Sequence, residues 1–287
     1  MTAIIVHGGA GATPSVRHDR LRAGVREAAR IGNAILASGG AALDAVVAAV
    51  RVLEDDPEFN AGVGSALTRD GTVETDASVM DGATHRVGAV AAVPDLGNAI
   101  ALARAVLDDG EHVMLAGPAA WRFAAQVGIV PAPPGSLVTE RQRARLAERA
   151  ARTGGTVGAV ARDREGRFAA ATSTGGIVGK RAGRVGDTPV PGAGTWADEA
   201  VAISATGDGE AILRVALARG VAARAASGEN LHDAAVGGLD ELRRITGGNA
   251  GVIAVDRIGV IGVQLSATMP IAWIFDDAAG DSMGEAL

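Results

Sequence analysis

Cysteine and tyrosine are absent from this sequence of 287 residues, and lysine occurs only once, at Lys180. Without cysteine the chain can form no disulfide framework, no thiolate nucleophile and no Cys-ligated zinc or iron–sulfur site. Covalent catalysis would therefore have to use serine, threonine, lysine or a carboxylate. The remaining composition, with 48% hydrophobic and 21% charged residues, is that of a globular protein.

Basic clusters are also scarce, since the formal net charge is −6 and only the stretch 141–152 is rich in arginine. Glu140 and Glu148 accompany these arginines at helical spacing, so we interpret the stretch as a solvated helix face rather than a nucleic-acid site. No apolar run approaches the ~20 residues of a membrane span, and the N-terminus lacks the basic region of a signal peptide. We therefore expect a cytoplasmic protein with no nucleic-acid or membrane partner.

The order of apolar runs and breakers predicts a layered α+β fold. Groups of strands with hairpin-length gaps flank a pair of helices, a pattern that favours antiparallel sheet over a doubly wound parallel one. The segment 131–135, PAPPG, gives the strongest linker signal in the chain. Helices are predicted at 15–36, 41–53, 97–107, 118–127, 141–152, 210–226 and 231–246. Strands are predicted at 3–6, 72–80, 87–93, 112–116, 156–162, 167–174, 201–206, 251–256, 258–266 and 271–275.

Common catalytic motifs fail when they are tested against the sequence. The GK pair at 179–180 is no phosphate-binding Walker loop, because Thr174 and Arg181 stand where glycine and serine or threonine are required. The five histidines lack metal-ligand spacing, and His7, between an apolar run and a glycine turn, is interpreted as a structural residue. The G-x-S-x-G motif of many serine hydrolases does not occur.

Threonine offers a more specific hypothesis at Thr156, which follows a glycine pair and begins an apolar run. An internal threonine is a weak nucleophile because no base adjoins its hydroxyl. Cleavage of the Gly155–Thr156 bond would release an α-amine with a pKa near ~8 beside Thr156 Oγ1, and the residue would then carry its own base. Taken alone, the pattern favours an ordinary strand threonine after a turn.

Three neighbouring motifs supply what such a nucleophile needs. The segment 172–174, TST, ends the next strand, so a hairpin would bring its hydroxyls beside Thr156. Arg184 and Asp187 suit the carboxylate and ammonium of a zwitterion, although a surface ion pair in a turn is the simpler alternative. Thr206 and Gly207 end another strand just before a helix, where a hydroxyl and an N–H can hold a developing oxyanion.

Seven longer motifs occur in the order found in one enzyme family. They are IIVHGGAGA at 4–12, FNAGVGSALTRDG at 59–71, DASVMDG at 76–82, GTVGAVA at 155–161, AAATSTGG at 169–176, GRVGDTPVPGAGTWA at 183–197 and SATGDGE at 204–210. On these motifs the sequence resembles, over nearly its whole length, the plant-type L-asparaginase/isoaspartyl peptidase family of N-terminal nucleophile hydrolases.

The resemblance implies a four-layer αββα sandwich with mainly antiparallel sheets, made as an inactive precursor that cleaves itself before the nucleophile. Cleavage would give an α chain of residues 1–155 and a β chain of residues 156–287, which together form one domain. Two α chains and two β chains would form a heterotetramer. Because each αβ unit comes from one precursor, this assembly is a homo-oligomer of two αβ units.

The same resemblance implies no cofactor for catalysis but a structural sodium ion. Backbone carbonyl oxygens would hold this ion, a donor type that side chains do not reveal. By spacing, these carbonyls belong to Leu53, Glu54, Asp56, Phe59, Ala61 and Val63.

The resemblance also assigns the site residues. Thr156 would be the nucleophile, Thr174 would support its hydroxyl and amine, and Asn60 of the FNAG motif would lie beside it. Arg184 and Asp187 would form the substrate clamp. Thr206 and Gly207 would form the oxyanion hole.

The implied reaction is hydrolysis of the side-chain amide of L-asparagine or of β-aspartyl dipeptides through a threonyl acyl-enzyme. A zwitterion clamp would let both substrates share one site. Two alternatives stay open at this point. One is a glycosylasparaginase, although that branch usually has aspartate before its nucleophile and here Gly155 stands there. The other is a family member without activity that acts as a binding or structural protein.

Overall fold

The computed structural model describes residues 1–148, 155–276 and 278–284. Its α-helices are α1 His18–Ala37, α2 Ala42–Glu54, α3 Ala99–Asp109, α4 Trp121–Gln126, α5 Glu140–Ala147, α6 Gly209–Val215, α7 Leu217–Ala226 and α8 Leu231–Thr246. Its strands are β1 Ala3–His7, β2 Glu74–Asp81, β3 Val87–Pro94, β4 Met114–Ala116, β5 Val157–Arg162, β6 Phe168–Thr174, β7 Thr195–Ala197, β8 Ala202–Gly207, β9 Ala250–Val255, β10 Val260–Gln264, β11 Ile271–Phe275 and β12 Ala278–Ser282.

The strands form two sheets. The larger has eight strands in the order β12-β11-β1-β5-β6-β2-β3-β4, and the smaller has four in the order β10-β9-β8-β7. The pairing of β3 with β4 is parallel, and the other neighbouring pairs are antiparallel. The prediction of mainly antiparallel sheet is confirmed.

Alternation of side chains gives each sheet two different faces. In β1, Ile4 and Val6 join an apolar cluster with helices α1 to α3, whereas Ala3 and Ile5 join a cluster between the two sheets. A third cluster packs β8, β9 and β10 against α6, α7 and α8. The layers therefore run helix, sheet, sheet, helix, and the expected four-layer αββα sandwich is confirmed.

Some predicted elements differ from the observed ones. The helix expected over 210–226 is two helices, because Ala216 adopts a left-handed conformation with a φ of 48°. The N–H of Arg219, in the first turn of α7, then donates to the carbonyl of Gly192 at 2.8 Å. Strands β7 and β12 were not predicted, since β7 has only three residues and β12, AAGDS, has no strongly apolar pattern. Over 118–127 a 3₁₀ turn at Pro118–Ala120 precedes the short helix α4.

The region before the expected cleavage point contains the predicted linker and the predicted arginine-rich helix. The linker signal at 131–135 marks a loop between α4 and α5 that is followed at once by buried Leu137, packed against Leu67 and Val73. The arginine-rich helix covers Glu140–Ala147, and the remainder of 141–152 lies beyond the described residues from 149 onward. This helix is not solvated throughout, because buried Gln142 donates from Nε2 to the carbonyl of Gly64 at 2.6 Å.

In the described ranges, none of the helices combines the length and apolar character needed to cross a membrane.

Candidate active site

Thr156 lies immediately before β5, on the face of the larger sheet that meets the smaller one. The register of β5 and β6 pairs Val157 with Ser173, which puts Thr156 beside Thr174. Thr156 is 6% exposed and Thr174 is 3% exposed, and their hydroxyl oxygens are 3.3 Å apart. The hairpin predicted to join these two residues therefore exists. Of the glycine pair before Thr156, Gly155 is described and Gly154 lies outside the described residues.

The carbonyl oxygen of Gly155 is held by two donors. Asn60 Nδ2 donates to it at 2.6 Å, and Thr174 Oγ1 donates at 2.9 Å. Asn60 is itself fixed, because its Oδ1 accepts from the N–H of Ala66 at 2.6 Å and its Nδ2 also donates to the carbonyl of Gly176 at 2.7 Å. This geometry is suited to stabilising negative charge on the Gly155 oxygen when a nucleophile adds to its carbonyl carbon.

The glycine turn after β1 lies against the same peptide bond. Gly9 has a φ of 106°, a conformation that favours glycine. A Cβ on Gly9 would come within 3.0 Å of Gly155 Cα and 3.2 Å of the Thr156 nitrogen. The HGGAGA motif therefore supplies backbone that closes over Gly155 and Thr156, a role that the motif alone did not reveal.

Thr206 and Gly207, at the end of β8, are the residues of the smaller sheet that lie at the site. The N–H of Ala10 donates to Thr206 Oγ1 at 3.0 Å, so the Thr206 hydroxyl keeps its own proton for another acceptor. Gly207 has a φ of 140°, and a Cβ there would lie 2.4 Å from the carbonyl oxygen of Asn249. Ala10 is covalently next to Gly9, so this hydroxyl is linked to the backbone that touches Thr156.

Arg184 and Asp187 are not a surface ion pair. The Arg184 side chain is 14% exposed, and Asp187 is 4% exposed. Arg184 pairs instead with Glu210, through Nε to Oε1 at 2.9 Å and Nη2 to Oε2 at 2.7 Å. Sequence reasoning missed Glu210, whose only signal was its place at the end of the SATGDGE motif.

Two glycines join this pair to the rest of the site. A Cβ on Gly209 would lie 2.7 Å from Asp187 Oδ1 and 2.9 Å from Arg184 Nη2, so only glycine leaves both groups undisturbed. Gly176, whose N–H donates to Thr174 Oγ1, would place a Cβ 3.3 Å from Arg184 Nη1. The cationic and anionic side chains are thus next to both the Thr174 turn and the end of β8.

The pKa of Asp187 is raised to about 7, mainly by burial and to a smaller extent by the carboxyl of Asp76, while a backbone hydrogen bond and Arg184 oppose the shift. Within the described ranges Asp187 Oδ2 has no hydrogen-bond partner. Asp76 and Lys180 are buried nearby, where burial raises the pKa of Asp76 and lowers that of Lys180. Asp187 can therefore receive a cationic ligand group, which would favour its charged form.

A cavity of about 280 Å³ adjoins the Gly155 side of the site. Gly9, Asn60 and Gly155 line one part of it, and Arg17, Arg141 and Arg145 line another. Two arginines of α5 therefore line a cavity near Gly155.

The loop expected to hold a cation packs closely against backbone carbonyl oxygens. A Cβ on Gly62 would lie 2.3 Å from the Glu54 oxygen, and one on Gly64 would lie 2.7 Å from the Phe59 oxygen. Both glycines have positive φ, at 49° and 105°. In the described part of the chain no group of three or more His, Cys, Asp or Glu side chains could hold a metal ion. The donors on offer are thus carbonyl oxygens, which fit a hard cation such as sodium.

His7 is a buried structural residue of the larger sheet, as its position suggested. Its Nε2 is 2.9 Å from Ser204 Oγ in β8. Burial lowers the pKa of His7 to about 3, so its imidazole is neutral at ordinary pH.

Comparisons with known proteins agree over most of the chain. A family model described as asparaginase matches residues 1–153 and 147–283. The isoaspartyl peptidase/L-asparaginase of Bos taurus is 46% identical over 282 residues, which cover 94% of this chain and 92% of that protein. Its counterpart in Homo sapiens is 45% identical with the same coverage. The isoaspartyl peptidase of Salmonella typhimurium is 41% identical over 303 residues, covering 97% of this chain and 96% of that protein.

Proposed function

The chain belongs to the asparaginase family, and from that premise we propose that it is an autoprocessed hydrolase that releases L-aspartate from L-asparagine and from β-aspartyl dipeptides. The observation that carries the proposal is the pair of hydrogen bonds on the Gly155 carbonyl, with the Thr156 hydroxyl beside one of the donors. An ordinary strand threonine needs no such arrangement on the preceding carbonyl.

Self-cleavage begins when Thr156 Oγ1 attacks the carbonyl carbon of Gly155. The carbonyl oxygen becomes negative and is stabilised by Asn60 Nδ2–H and Thr174 Oγ1–H. The C–N bond then breaks, the proton lost by the hydroxyl ends on the departing nitrogen, and an ester joins Gly155 to Thr156. Water hydrolyses this ester, which leaves a carboxylate on Gly155 and a free α-amine on Thr156.

Turnover uses the amine that cleavage creates. The amine, with a reference pKa near ~8, takes the proton of Thr156 Oγ1 as the oxygen attacks the side-chain carbonyl of the substrate. Thr206 Oγ1–H and the N–H of Gly207 stabilise the resulting oxyanion. Ammonia or an amino acid leaves with the proton, and water then attacks the acyl-enzyme to release aspartate.

Arg184 and Asp187 select the substrate. The guanidinium binds the α-carboxylate of the aspartyl unit, and the carboxylate of Asp187 binds its α-ammonium. L-asparagine and an N-terminal β-aspartyl residue carry the same two groups, so one clamp serves both. The burial of Asp187, whose Oδ2 has no hydrogen-bond partner within the described residues, supports this role, since a buried charge needs a partner.

The glycosylasparaginase alternative gains no support from the relatives described above, which are named for isoaspartyl peptidase or L-asparaginase activity. A binding protein without activity would not need two donors on the Gly155 carbonyl. We therefore retain amide hydrolysis as the function.

Two further parts of the proposal rest on the family resemblance and the loop geometry. The first is a dimer of αβ units, to be measured as the mass in solution. The second is a structural sodium ion on the carbonyls of Leu53, Glu54, Asp56, Phe59, Ala61 and Val63, supported by the carbonyl oxygens of Glu54 and Phe59 that pack close to Gly62 and Gly64. Replacing sodium with a large organic cation should lower the thermal midpoint if the ion is present.

The proposal is tested by mass and by product release. Purified protein should contain fragments split at Gly155–Thr156 and should release ammonia from L-asparagine and leucine from β-Asp-Leu. Thr156→Ala should abolish both cleavage and activity, whereas Thr84→Ala, at an exposed threonine bonded to Asp81, should change neither. A fully active chain that stays uncut, or a cut chain that releases neither product, would refute the proposal.

A further inference from the structure

The two halves of the proposed site belong to different sheets. Thr156 and Thr174 lie on the larger sheet, and Thr206 lies on the smaller one. Turnover needs all three in register, because an oxyanion donor must lie about 2.7–3.1 Å from the developing charge. Something must therefore fix the spacing of the sheets at this point.

A row of small and polar residues lies between the two sheets, next to the site residues and further from the ends of the strands. On three strands a residue of this row is two positions from a site residue and so shares its face: Gly158 with Thr156, Thr172 with Thr174 and Ser204 with Thr206. The strand registers pair Gly158 with both His7 and Thr172, and Thr172 with Ser78. In the smaller sheet, Thr195 pairs with Ser204.

Hydrogen bonds connect these side chains across the gap between the sheets. His7 Nε2 is 2.9 Å from Ser204 Oγ, which is 2.8 Å from Thr172 Oγ1. Thr172 Oγ1 is 2.7 Å from Thr195 Oγ1, which is 2.7 Å from Ser78 Oγ. We call these five residues the inter-sheet chain; none is more than 1% exposed.

The close approach of the sheets here depends on Gly158. A Cβ at that position would lie 2.1 Å from Ser204 Oγ and 2.5 Å from His7 Nε2. Elsewhere the sheets meet through apolar side chains such as Val160, Phe168 and Ile253, whose packing is not directional. Hydrogen bonds of 2.7–2.9 Å impose a distance and an angle that such packing does not.

We propose that the Thr172–Ser204 hydrogen bond is a positioning contact that sets the oxyanion donor of one sheet against the nucleophile of the other. Neither residue touches the substrate in this arrangement, so the contact acts on the chemical step through Thr174 and Thr206. The inference rests on the proposed function. It also separates the two reactions, because self-cleavage draws its oxyanion donors from Asn60 and Thr174 and does not use Thr206.

The test compares Thr172→Val, Ser204→Ala and the double variant with wild type. Each single change should lower kcat for L-asparagine 10- to 100-fold, since a misplacement of about 1 Å can cost on the order of 100-fold. KM should stay within about twofold of wild type in Ser204→Ala, because the Ser204 hydroxyl bonds to His7 and Thr172 and not to the loop that carries Arg184 and Asp187. The rate of self-cleavage should stay within about threefold. The double variant should lose little more than the worse single variant, as expected of partners in one contact.

Two control variants separate positioning from general loss of packing. Thr172→Ser keeps the hydroxyl and should restore kcat to within about threefold of wild type. Thr75→Val removes another fully buried hydroxyl of the same sheet, bonded to the Leu96 carbonyl at 3.1 Å, and should leave kcat within about twofold. Thermal midpoints of all variants report any shared loss of stability.

Several results would overturn the inference. These are a wild-type kcat in Ser204→Ala, an equal loss in Thr75→Val, independent losses that multiply in the double variant, or self-cleavage that slows in step with kcat. If Thr172→Val does not fold, Ser204→Ala alone decides between these results. A wild-type enzyme that is inactive on both substrates refutes the proposed function and this inference with it, whereas an active wild type with unchanged variants refutes the inference alone.

Discussion

Replacement of Asn60 tests the proposed self-cleavage of the chain. Asn60→Ala removes one of the two donors on the Gly155 carbonyl, the one at 2.6 Å, and leaves Thr174 Oγ1 at 2.9 Å. Loss of one oxyanion donor costs about 100- to 1,000-fold in rate, which corresponds to about 3–4 kcal/mol of transition-state stabilisation. We therefore expect self-cleavage to slow by that factor but to remain measurable.

The assay is a time course of intact mass on freshly purified precursor, which follows the loss of the full-length chain and the appearance of fragments 1–155 and 156–287. Asn60 also bonds to Ala66 and Gly176, so its loss has a structural effect that must be separated. Asn60→Asp keeps the acceptor for the Ala66 N–H but offers no donor to Gly155 when ionised, and it should be at least as slow.

The matched control is Asn98→Ala, because Asn98 Nδ2 bonds to the neighbouring loop at Asp55 and not to Gly155. It should cleave at the wild-type rate. Cleavage of Asn60→Ala at the wild-type rate, or equal slowing in Asn98→Ala, would show that the Asn60 contact does not stabilise the transition state.

Three further outcomes are expected. Gly209→Ala should raise KM for L-asparagine at least about tenfold with self-cleavage unchanged, since its Cβ would press on Arg184 and Asp187; an unchanged KM would place the substrate elsewhere. Thr206→Val should lower kcat about 100- to 1,000-fold with self-cleavage again unchanged, and equal loss of both rates would refute separate oxyanion holes. Because the pKa of Asp187 is raised to about 7, its protonation should steepen the fall of kcat/KM below that pH, beyond the fall caused by protonation of the Thr156 α-amine, whose reference pKa is near ~8. The profile of kcat should show the amine limb without this extra steepening, because bound ammonium favours the Asp187 carboxylate, and equally steep limbs in the two profiles would contradict this role.

Most helices and strands were predictable because their apolar patterns are long, whereas the four-layer arrangement was implied by the family resemblance. The helix 231–246 and the strand 271–275 were predicted with the bounds that the structure has. The break at Ala216 was not, because alanine favours helix and the break depends on bonds from α7 to a distant loop. Three-residue β7 is defined only by its partner β8, which no local pattern reveals.

The candidate site was likewise predictable from the sequence only in part. Thr156 beside Thr174 followed from a hairpin, which is a local feature. The bond from Asn60 to Gly155 joins residues 95 positions apart, and the pairing of Arg184 with Glu210 was unexpected because Asp187 offered a nearer carboxylate. Burial of Asp187 and the close packing of Gly209 against Asp187 and Arg184 could be recognised only once loops from both sheets were together.

The strand order has a consequence for the life of the enzyme after it is cut. In the larger sheet, β1 would belong to the first fragment but lies between β11 and β5 of the second, and β6 of the second fragment pairs with β2 of the first. Strands of the two fragments would thus be neighbours at three places in the sheet. The fragments could not separate without breaking the hydrogen bonds between these strands. The precursor folds as a single molecule at a rate independent of concentration, whereas the cut protein, once unfolded, must find its other half by collision. After cleavage, refolding would therefore depend on protein concentration and would fail at high dilution.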